Sequence, residues 1–411
     1  METWYISVQE TSMQAFFILG NNRDLARTEL TSVIGEVKPV VDADDVLIVD
    51  DISGNLGSLH STLGGTIKTG IIYASVKSQE ELVDAVAGLA PTLRSMEGKF
   101  KFGVSVYSGG HRGKLTALRS QSEKIGIRIK QKLKEGDQSV RLVTSKIPVL
   151  SSVIVTKQKL LEKGVEFCIF PMADQILIGV TESVQDFEEW GERDFERPKR
   201  DAKRGMLPPK LARMMVNIAA GDPSKDTLLD PFCGVGTVLT EAMALGYRSL
   251  IGSDIDEIAV DATRANVRWE KNRTDNDIEP QMITAKAQEL ATFLAPHSVD
   301  RIVAELHLGK PRTGDEGRPE LEKRLEDLLV MYTESFRAFA GIVSENARLV
   351  IAVPAYVSDG SVIPVQIVER AKMFGFELVP FTDVETTSFG ALRYGRQGQM
   401  VLRDIYRFKK V

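Results

Sequence analysis

Residues 227–240 read T-L-L-D-P-F-C-G-V-G-T-V-L-T, and the pattern changes twice within them. Leu228 and Leu229 end a short apolar run, Asp230 and Pro231 stop it, and Gly234 and Gly236 follow two residues apart. From Thr237 the apolar residues Val238, Leu239, Ala242, Met243 and Leu245 recur at three- and four-residue spacing, the period of a helix face. The stretch predicts a strand, a glycine turn and a helix. Glycine has no Cβ and takes positive φ, so such a turn lets backbone come close to a ligand. The first N–H groups of the helix that follows point back at the turn.

The turn also limits what that ligand can be. Gly234 and Gly236 fit the start of a dinucleotide fingerprint, but Leu239 fills the third glycine position, and no Gly-Lys-Ser/Thr follows. Asp230 places an acid where a phosphate would be repelled and a cationic group favoured. S-adenosylmethionine carries an ammonium and a sulfonium and no phosphate, and it suits this turn. The plainer alternative is an ordinary strand-to-helix loop with convenient glycines.

Working outward, residues 249–255 form a strand ending in G-S-D-I-D. Asp254 lies about 25 residues beyond Asp230, where an acid at the end of the second strand of a doubly wound fold accepts from ribose hydroxyls. Asp256 is placed to cap the next helix. Further strands are expected at 281–284, 301–303, 348–353 and 377–381. Helices are expected at 257–266, 321–338 and 362–373. A last strand at 400–407 is read as an antiparallel hairpin partner. This alternation predicts a mostly parallel sheet covered on both faces.

Upstream, residues 186–203 are charged and lack an apolar period, which marks a linker. Pro208 and Pro209 then open a helix at 211–219, where a missing N–H has no intrahelical partner. Residues 15–89 alternate short strands and helices. A block from Arg94 to Lys163 carries 16 Lys/Arg against 5 Asp/Glu, although the whole chain is at −5. Such a block suggests a polyanion partner, or else a set of solvated helix faces. Within it, a helix over 115–133 carries Lys124, Arg128, Lys130 and Lys132, with Lys134 just beyond and Gly136 stopping it. Strands are expected at 149–155, 165–170 and 175–181, with a short helix at 158–163.

At 411 residues, two or three domains are expected. No apolar run reaches membrane-span length, and Met1–Gln9 lack the form of a signal peptide. Two cysteines without a partner pattern and four scattered histidines indicate a reducing, cytoplasmic setting and no structural metal.

Several runs together resemble one family. D-P-F-C-G-V-G-T (230–237) and G-S-D-I-D (252–256) look like the first two cofactor motifs of amino-group methyltransferases. R-D-F-E-R-P-K-R-D-A-K-R-G-M-L-P-P-K-L-A (193–212) resembles the linker and first helix of THUMP-domain tRNA methyltransferases, in particular the guanosine-10 N2-methyltransferase family. S-S-V-I-V-T-K-Q-K-L-L-E-K-G-V-E-F (151–167) is similar to the C-terminal half of a THUMP domain, and A-F-F-I-L-G-N-N-R-D-L-A-R-T-E-L (15–30) to that family's N-terminal domain. The resemblance implies an α/β chain with an N-terminal α+β ferredoxin-like domain (1–92), a THUMP RNA-binding domain (93–185), a linker (186–205) and a Rossmann-like methyltransferase domain (206–411). It implies methyl transfer from S-adenosylmethionine to the exocyclic amine of a tRNA guanine. Asp230, Phe232, Gly234, Gly236, Thr237, Asp254 and Pro208 would hold the cofactor. tRNA is the implied partner, and an activating protein subunit is compatible with it. Cys233 is a small turn residue in this reading.

The chain departs from the family at two places. Where the family carries Asp or Asn, two prolines and an aromatic, this sequence reads Glu305-Leu306-His307-Leu308. Glu305 supplies the side-chain oxygen, Leu306 replaces a rigid proline and softens the backbone, and His307 stands in for the aromatic; Glu305 and His307 are the expected catalytic residues. Lys286 replaces an Asp that contacts the adenine amine, and a lysine cannot accept a hydrogen bond. Two rival readings follow. One is a tRNA-binding protein descended from such enzymes with weakened or lost catalysis. The other is a methyltransferase of adenine N6 in nucleic acid.

Overall fold

The computed structural model describes residues 13–35, 37–93, 98–135, 139–200, 206–274, 276–396 and 398–411. Met1–Gln9, Arg94, Gly136 and residues 201–205 of the expected linker lie outside the described residues. By contacts the chain divides into two units, residues 1–23 with 34–187, and residues 24–33 with 188–411.

The first unit is built on one eight-stranded sheet. Its strands are β1 (Met13–Leu19), β2 (Pro39–Ala43), β3 (Val46–Ile52), β4 (Thr66–Val76), β5 (Lys99–Val106), β6 (Ser139–Val143), β7 (Gly164–Pro171) and β8 (Ile176–Val184), in the order β2-β3-β1-β4-β8-β7-β5-β6. Helix α1 (Arg23–Ile34) joins β1 to β2, and its residues 24–33 group with the second unit. Helices α2 (Leu56–Thr62), α3 (Gln79–Leu93), α4 (Arg112–Lys134) and α5 (Ser152–Lys157) belong to the first unit. The strands drawn from 1–92 and from 93–185 meet where β4 pairs antiparallel with β8. A buried ion pair crosses this region: Lys68 Nζ donates to both oxygens of Glu166 at 2.6 and 2.9 Å. Ser105 and Thr181 hydroxyls donate to the same carboxylate at 2.5 and 2.7 Å. A buried charge is tolerated when it is paired and its remaining lone pairs are bonded in this way.

Two expected elements are corrected here. Residues 149–155, read as a strand, instead contain the start of α5. Ser151 Oγ accepts from the Ile154 N–H at 3.3 Å and caps a helix whose β-branched residues had suggested a strand. Residues 186–203 contain a helix, α6 (Phe187–Phe195), with Trp190 and Arg193 buried.

The second unit continues with α7 (Pro209–Ile218), β9 (Thr227–Asp230), α8 (Thr237–Ala244), β10 (Ser249–Asp254), α9 (Glu257–Lys271), β11 (Gln281–Thr284), a 3-10 turn (Ala287–Thr292), β12 (Val299–Glu305), α10 (Arg318–Ile342) and β13 (Val343–Ser358). β14 (Ser361–Pro364), α11 (Val368–Lys372), β15 (Phe376–Leu378), β16 (Leu392–Tyr394) and β17 (Val401–Lys410) complete it. The sheet runs β11-β10-β9-β12-β13-β17-β15; β9 to β13 are parallel, and β17 runs antiparallel between β13 and β15. The expected 362–373 helix is corrected to a hairpin strand and one short helix. Asp359 and Gly360 both take positive φ (49° and 72°), the requirement of a tight hairpin turn, and they fold β14 back onto β13.

One side of the sheet packs α10 through Leu321, Tyr332, Phe336 and Phe339 against Ile302, Ile351, Tyr406 and Phe408. The central strands bury the residues that lead up to their last one. In β12, Ile302, Val303 and Ala304 are fully buried before Glu305 ends the strand. Asp230, Asp254 and Glu305 are the final residues of β9, β10 and β12. Three acids therefore emerge at the carboxyl edge of one parallel sheet, where the chain order reverses from β10-β9 to β9-β12 and a crevice opens.

Candidate functional site

The crevice is a cavity of about 1100 Å³ lined by Asp230, Phe232, Gly234, Thr237, Asp254, Glu305 and His307 among others. Seven of the nine residues named from the sequence thus surround one space. Gly236 and Pro208 are not on its wall. Gly236 starts α8 at φ 80°, and a Cβ there would come within 2.7 Å of Thr263, so this glycine shapes the turn from behind. Pro208 precedes α7, while its neighbours Met206 and Leu207 reach the cavity.

The turn is tied by its own acids. Asp254 Oδ2 accepts from the Gly234 N–H at 2.9 Å, and Oδ1 accepts from Asp256 N–H at 3.0 Å. Asp230 Oδ1 accepts from Phe232 N–H at 3.1 Å. Thr263 Oγ1 donates to Gly234 O at 2.8 Å, and Asn266 Nδ2 donates to Val235 O at 2.8 Å. Asn266 also exchanges hydrogen bonds with the backbone of Lys199 at 3.0 Å in each direction. Arg197 Nη1 donates to Thr237 Oγ1 at 2.8 Å. The stretch expected as a linker therefore buries Arg193 and Arg197 against α8 and α9. Arg193 bonds Glu241 at 3.1 Å and Glu270 at 3.0 Å, and Arg213 bonds Glu241 at 2.7 Å. Sequence reasoning missed Asn266, Arg197 and this network. Its trace was a run of arginines beside two acids that fall on otherwise apolar helix faces.

Electrostatics set the character of the space. Burial pushes the Asp230 carboxyl well above the usual carboxylate range; the Phe232 N–H partly opposes this, and Asp254 and Glu305 add to it. Burial also raises Glu305, offset in part by Arg403. Arg403 Nε donates to Glu305 Oε1 from β17. Burial, then the Asp230 charge, raise the Cys233 thiol well above its ordinary value. Cys233 is thus a protonated, buried small residue and no nucleophile. Lys286 is exposed on the rim and pairs with Glu289 at 3.7 Å.

After β12 the backbone is held more firmly than the loss of a proline suggests. Tyr332 and Tyr356 hydroxyls donate to the backbone oxygens of His307 and Leu308 at 2.5 and 2.8 Å. Gly309 takes φ 88°, and a Cβ there would lie 2.3 Å from the Tyr356 hydroxyl, so glycine is required for this approach. His307 is exposed at the cavity wall and Leu306 is buried. Among the described residues no cluster of three or more His, Cys, Asp or Glu is placed to hold a metal. No helix among them is long and apolar enough to cross a membrane.

A parallel sheet in this order, with an acid closing each of its first two strands over a shared cleft, defines a Rossmann-like methyltransferase domain. The family model described as UPF0020: RMKL-like, methyltransferase domain matches residues 197–363. Similar curated proteins include tRNA (guanine(10)-N2)-dimethyltransferase of Methanocaldococcus jannaschii, 32% identical over 185 residues, covering 44% of this chain and 48% of that protein. The protein of the same description from Methanothermobacter thermautotrophicus is 48% identical over 64 residues, 16% of this chain and 18% of that one. A probable tRNA (guanine(10)-N2)-dimethyltransferase of Methanothermococcus thermolithotrophicus is 34% identical over 123 residues, 29% of this chain and 73% of that protein. The chain belongs to the tRNA (guanine(10)-N2)-dimethyltransferase family. It spans about half the length, or less, of the first two of these relatives. The crystal structure of TrmN from Thermus thermophilus shares the fold along 98% of this chain and 100% of its own, with a TM-score of 0.54 at 17% identity.

Proposed function

We propose that the protein transfers a methyl group from S-adenosylmethionine to the exocyclic N2 amine of a guanine in tRNA, with position 10 the expected target. The observation that carries this reading is the acidic floor. Asp230, Asp254 and Glu305 end adjacent parallel strands and line one cavity. A phosphate-rich cofactor would meet three acids there, and a sulfonium with an ammonium would meet complementary charge. Family membership supports the same reading.

The residues present fit that cofactor. Asp230 would face the amino-acid ammonium. Asp254, whose two oxygens each already hold a backbone N–H, has lone pairs left for ribose hydroxyls. Gly234, Phe232 and Thr237 would bring the turn against the bound molecule, with Gly236 shaping that turn from behind and Pro208 opening α7 next in sequence to Met206 and Leu207 of the wall. When bound, S-adenosylmethionine supplies a methyl group on a positively charged sulfur. Glu305 would accept a hydrogen bond from the target amine and turn the nitrogen lone pair toward that methyl. His307, exposed on the same wall, would pack against the base. No cysteine takes part.

Residues 93–185 would hold tRNA as a THUMP module, through phosphates and shape. Lys124, Arg128 and Lys134 on α4 are exposed. Radiolabelled cofactor with unmodified tRNA, followed by nucleoside analysis, tests the reading. Label in N2-methylated guanosine is the expected result. Label in N6-methyladenosine moves the target to adenine, and tRNA binding without any transfer reduces the protein to a binding module.

A further inference from the structure

We infer that Arg403 is a positioning residue for Glu305, holding the carboxylate across the sheet so that one oxygen is offered to the substrate amine. The inference rests on the proposed methyl-transfer reading and extends it to a residue 98 positions away in sequence.

Glutamate is one methylene longer than the aspartate or asparagine that the family resemblance leads one to expect at this position. A longer side chain at a strand end has more rotamers to lose before it can present an acceptor in one place. Arg403 removes that freedom. It sits on β17 opposite Pro354 of β13, while Glu305 of β12 lies opposite Ala352, so the pair spans the intervening strand. Both side chains are largely buried, at 9% and 15% exposure, where a guanidinium–carboxylate bond is directional and poorly screened. Arg403 Nε engages Oε1, which leaves Oε2 as the acceptor for the amine. Misplacing such an acceptor by about 1 Å is enough to lose roughly a hundredfold in rate.

The pair also sets the protonation state. Arg403 from β17 is the charge that acts on Glu305, and Glu305 in turn raises Asp230 on β9 and the buried Tyr332 on α10. Burial raises the Glu305 carboxyl, and Arg403 opposes that shift. A protonated Glu305 would place a hydrogen where an acceptor is needed. Arg403 therefore favours the ionised form of the group it aims.

The test uses the full chain with Arg403→Met and Arg403→Lys. Methyl transfer to tRNA is followed against pH. The Glu305 carboxyl is titrated by carbon-13 NMR and assigned with Glu305→Gln. For Arg403→Met the inference expects kcat to fall at least about tenfold, with cofactor and tRNA Kd values within about threefold of the parent. The acid limb of the profile and the NMR titration should both move up by about one pH unit or more, and Arg403→Lys should recover most of each shift. An unmoved Glu305 titration overturns the inference, as does an unchanged kcat in an active protein. If the unmodified protein transfers no methyl at all, the proposed function fails instead. The NMR titration then still decides whether Arg403 governs Glu305.

Discussion

Tyr332 and His307 are joined by a 2.5 Å hydrogen bond from a phenol with no exposed surface to a backbone oxygen at the cavity wall. Tyr356 does the same for Leu308 at 2.8 Å. The two residues that follow Leu306, the position read from the sequence as a lost proline, are thus held by side chains from α10 and β13. Tyr332→Phe removes this donor to the His307 carbonyl, a loss of about 0.5–1.5 kcal/mol for a typical hydrogen bond. Turnover is expected to fall by about tenfold, because the substrate side of the cavity shifts. Cofactor affinity should change by less than about threefold, since the glycine turn is untouched. Steady-state kinetics with parallel calorimetry separate the two. Equal losses in both would mean that this backbone also shapes the cofactor subsite.

Asp254 has a double task. Its carboxylate ties Gly234 and Asp256 N–H groups and faces the cavity. Asp254→Ala should weaken S-adenosylmethionine binding by at least about tenfold, or about 1.4 kcal/mol. tRNA affinity, measured by filter binding, should stay within about twofold, because the basic side chains proposed for it lie in the first unit. A matched loss of both affinities would contradict the separation of cofactor and RNA sites.

Asp230 is expected to make cofactor binding depend on pH. Its folded carboxyl titrates above the unfolded value of 3.8, because burial disfavours the charged form. The folded state therefore binds this proton more tightly than the unfolded chain. The stability Asp230 contributes is full below about pH 4 and is lost as pH rises through the folded pKa. Asp230→Asn removes that loss, so the ligand-free variant should melt at a higher temperature than the parent at neutral pH. A cationic ligand favours the ionised acid, so parent affinity should rise with pH over the same window, with proton release visible in calorimetry across buffers. In Asp230→Asn that dependence should be flat. A parent affinity independent of pH would mean that Asp230 stays ionised in the empty site.

The strand–helix alternation of the second unit and the place of its acids at strand ends were legible because they rest on local patterns. The D-P-F-C-G-V-G-T turn and the G-S-D-I-D strand end each state their geometry within a dozen residues. The hairpin at β14 was hidden because Ser361 to Pro364 run straight into apolar residues with a helical spacing, while its cause is the Asp359-Gly360 pair before them. The start of α5 was hidden by its Val, Ile and Thr residues, and the capping serine decided the outcome. Arg403, Tyr332 and Tyr356 were illegible for another reason. Each acts on residues 25 to 98 positions away, through neighbours that only the folded sheet and the helix packed on it define.

Arg193 gives the last prediction. It lies in a stretch that looked like solvated linker, yet its guanidinium bonds Glu189, Glu241 and Glu270, and the last two carboxylates are almost wholly buried. Burial alone would lower its pKa, but Glu241, Glu270 and Glu189 together hold it above the ordinary arginine value. Removing Arg193 takes the ion-pair partner from the buried Glu270 carboxylate, while Glu241 keeps Arg213. Arg193→Ala should therefore cost about 3–5 kcal/mol of folding stability in urea titration. The double change Arg193→Met with Glu270→Leu should cost much less, because it removes a charge of each sign. Glu192, which pairs with Arg273 on the surface, serves as the control: Glu192→Ala should cost under about 1 kcal/mol. If Arg193→Ala proved as mild as that control, the arginine would be solvated in solution and the stretch before α7 would be the loose connector its composition suggests.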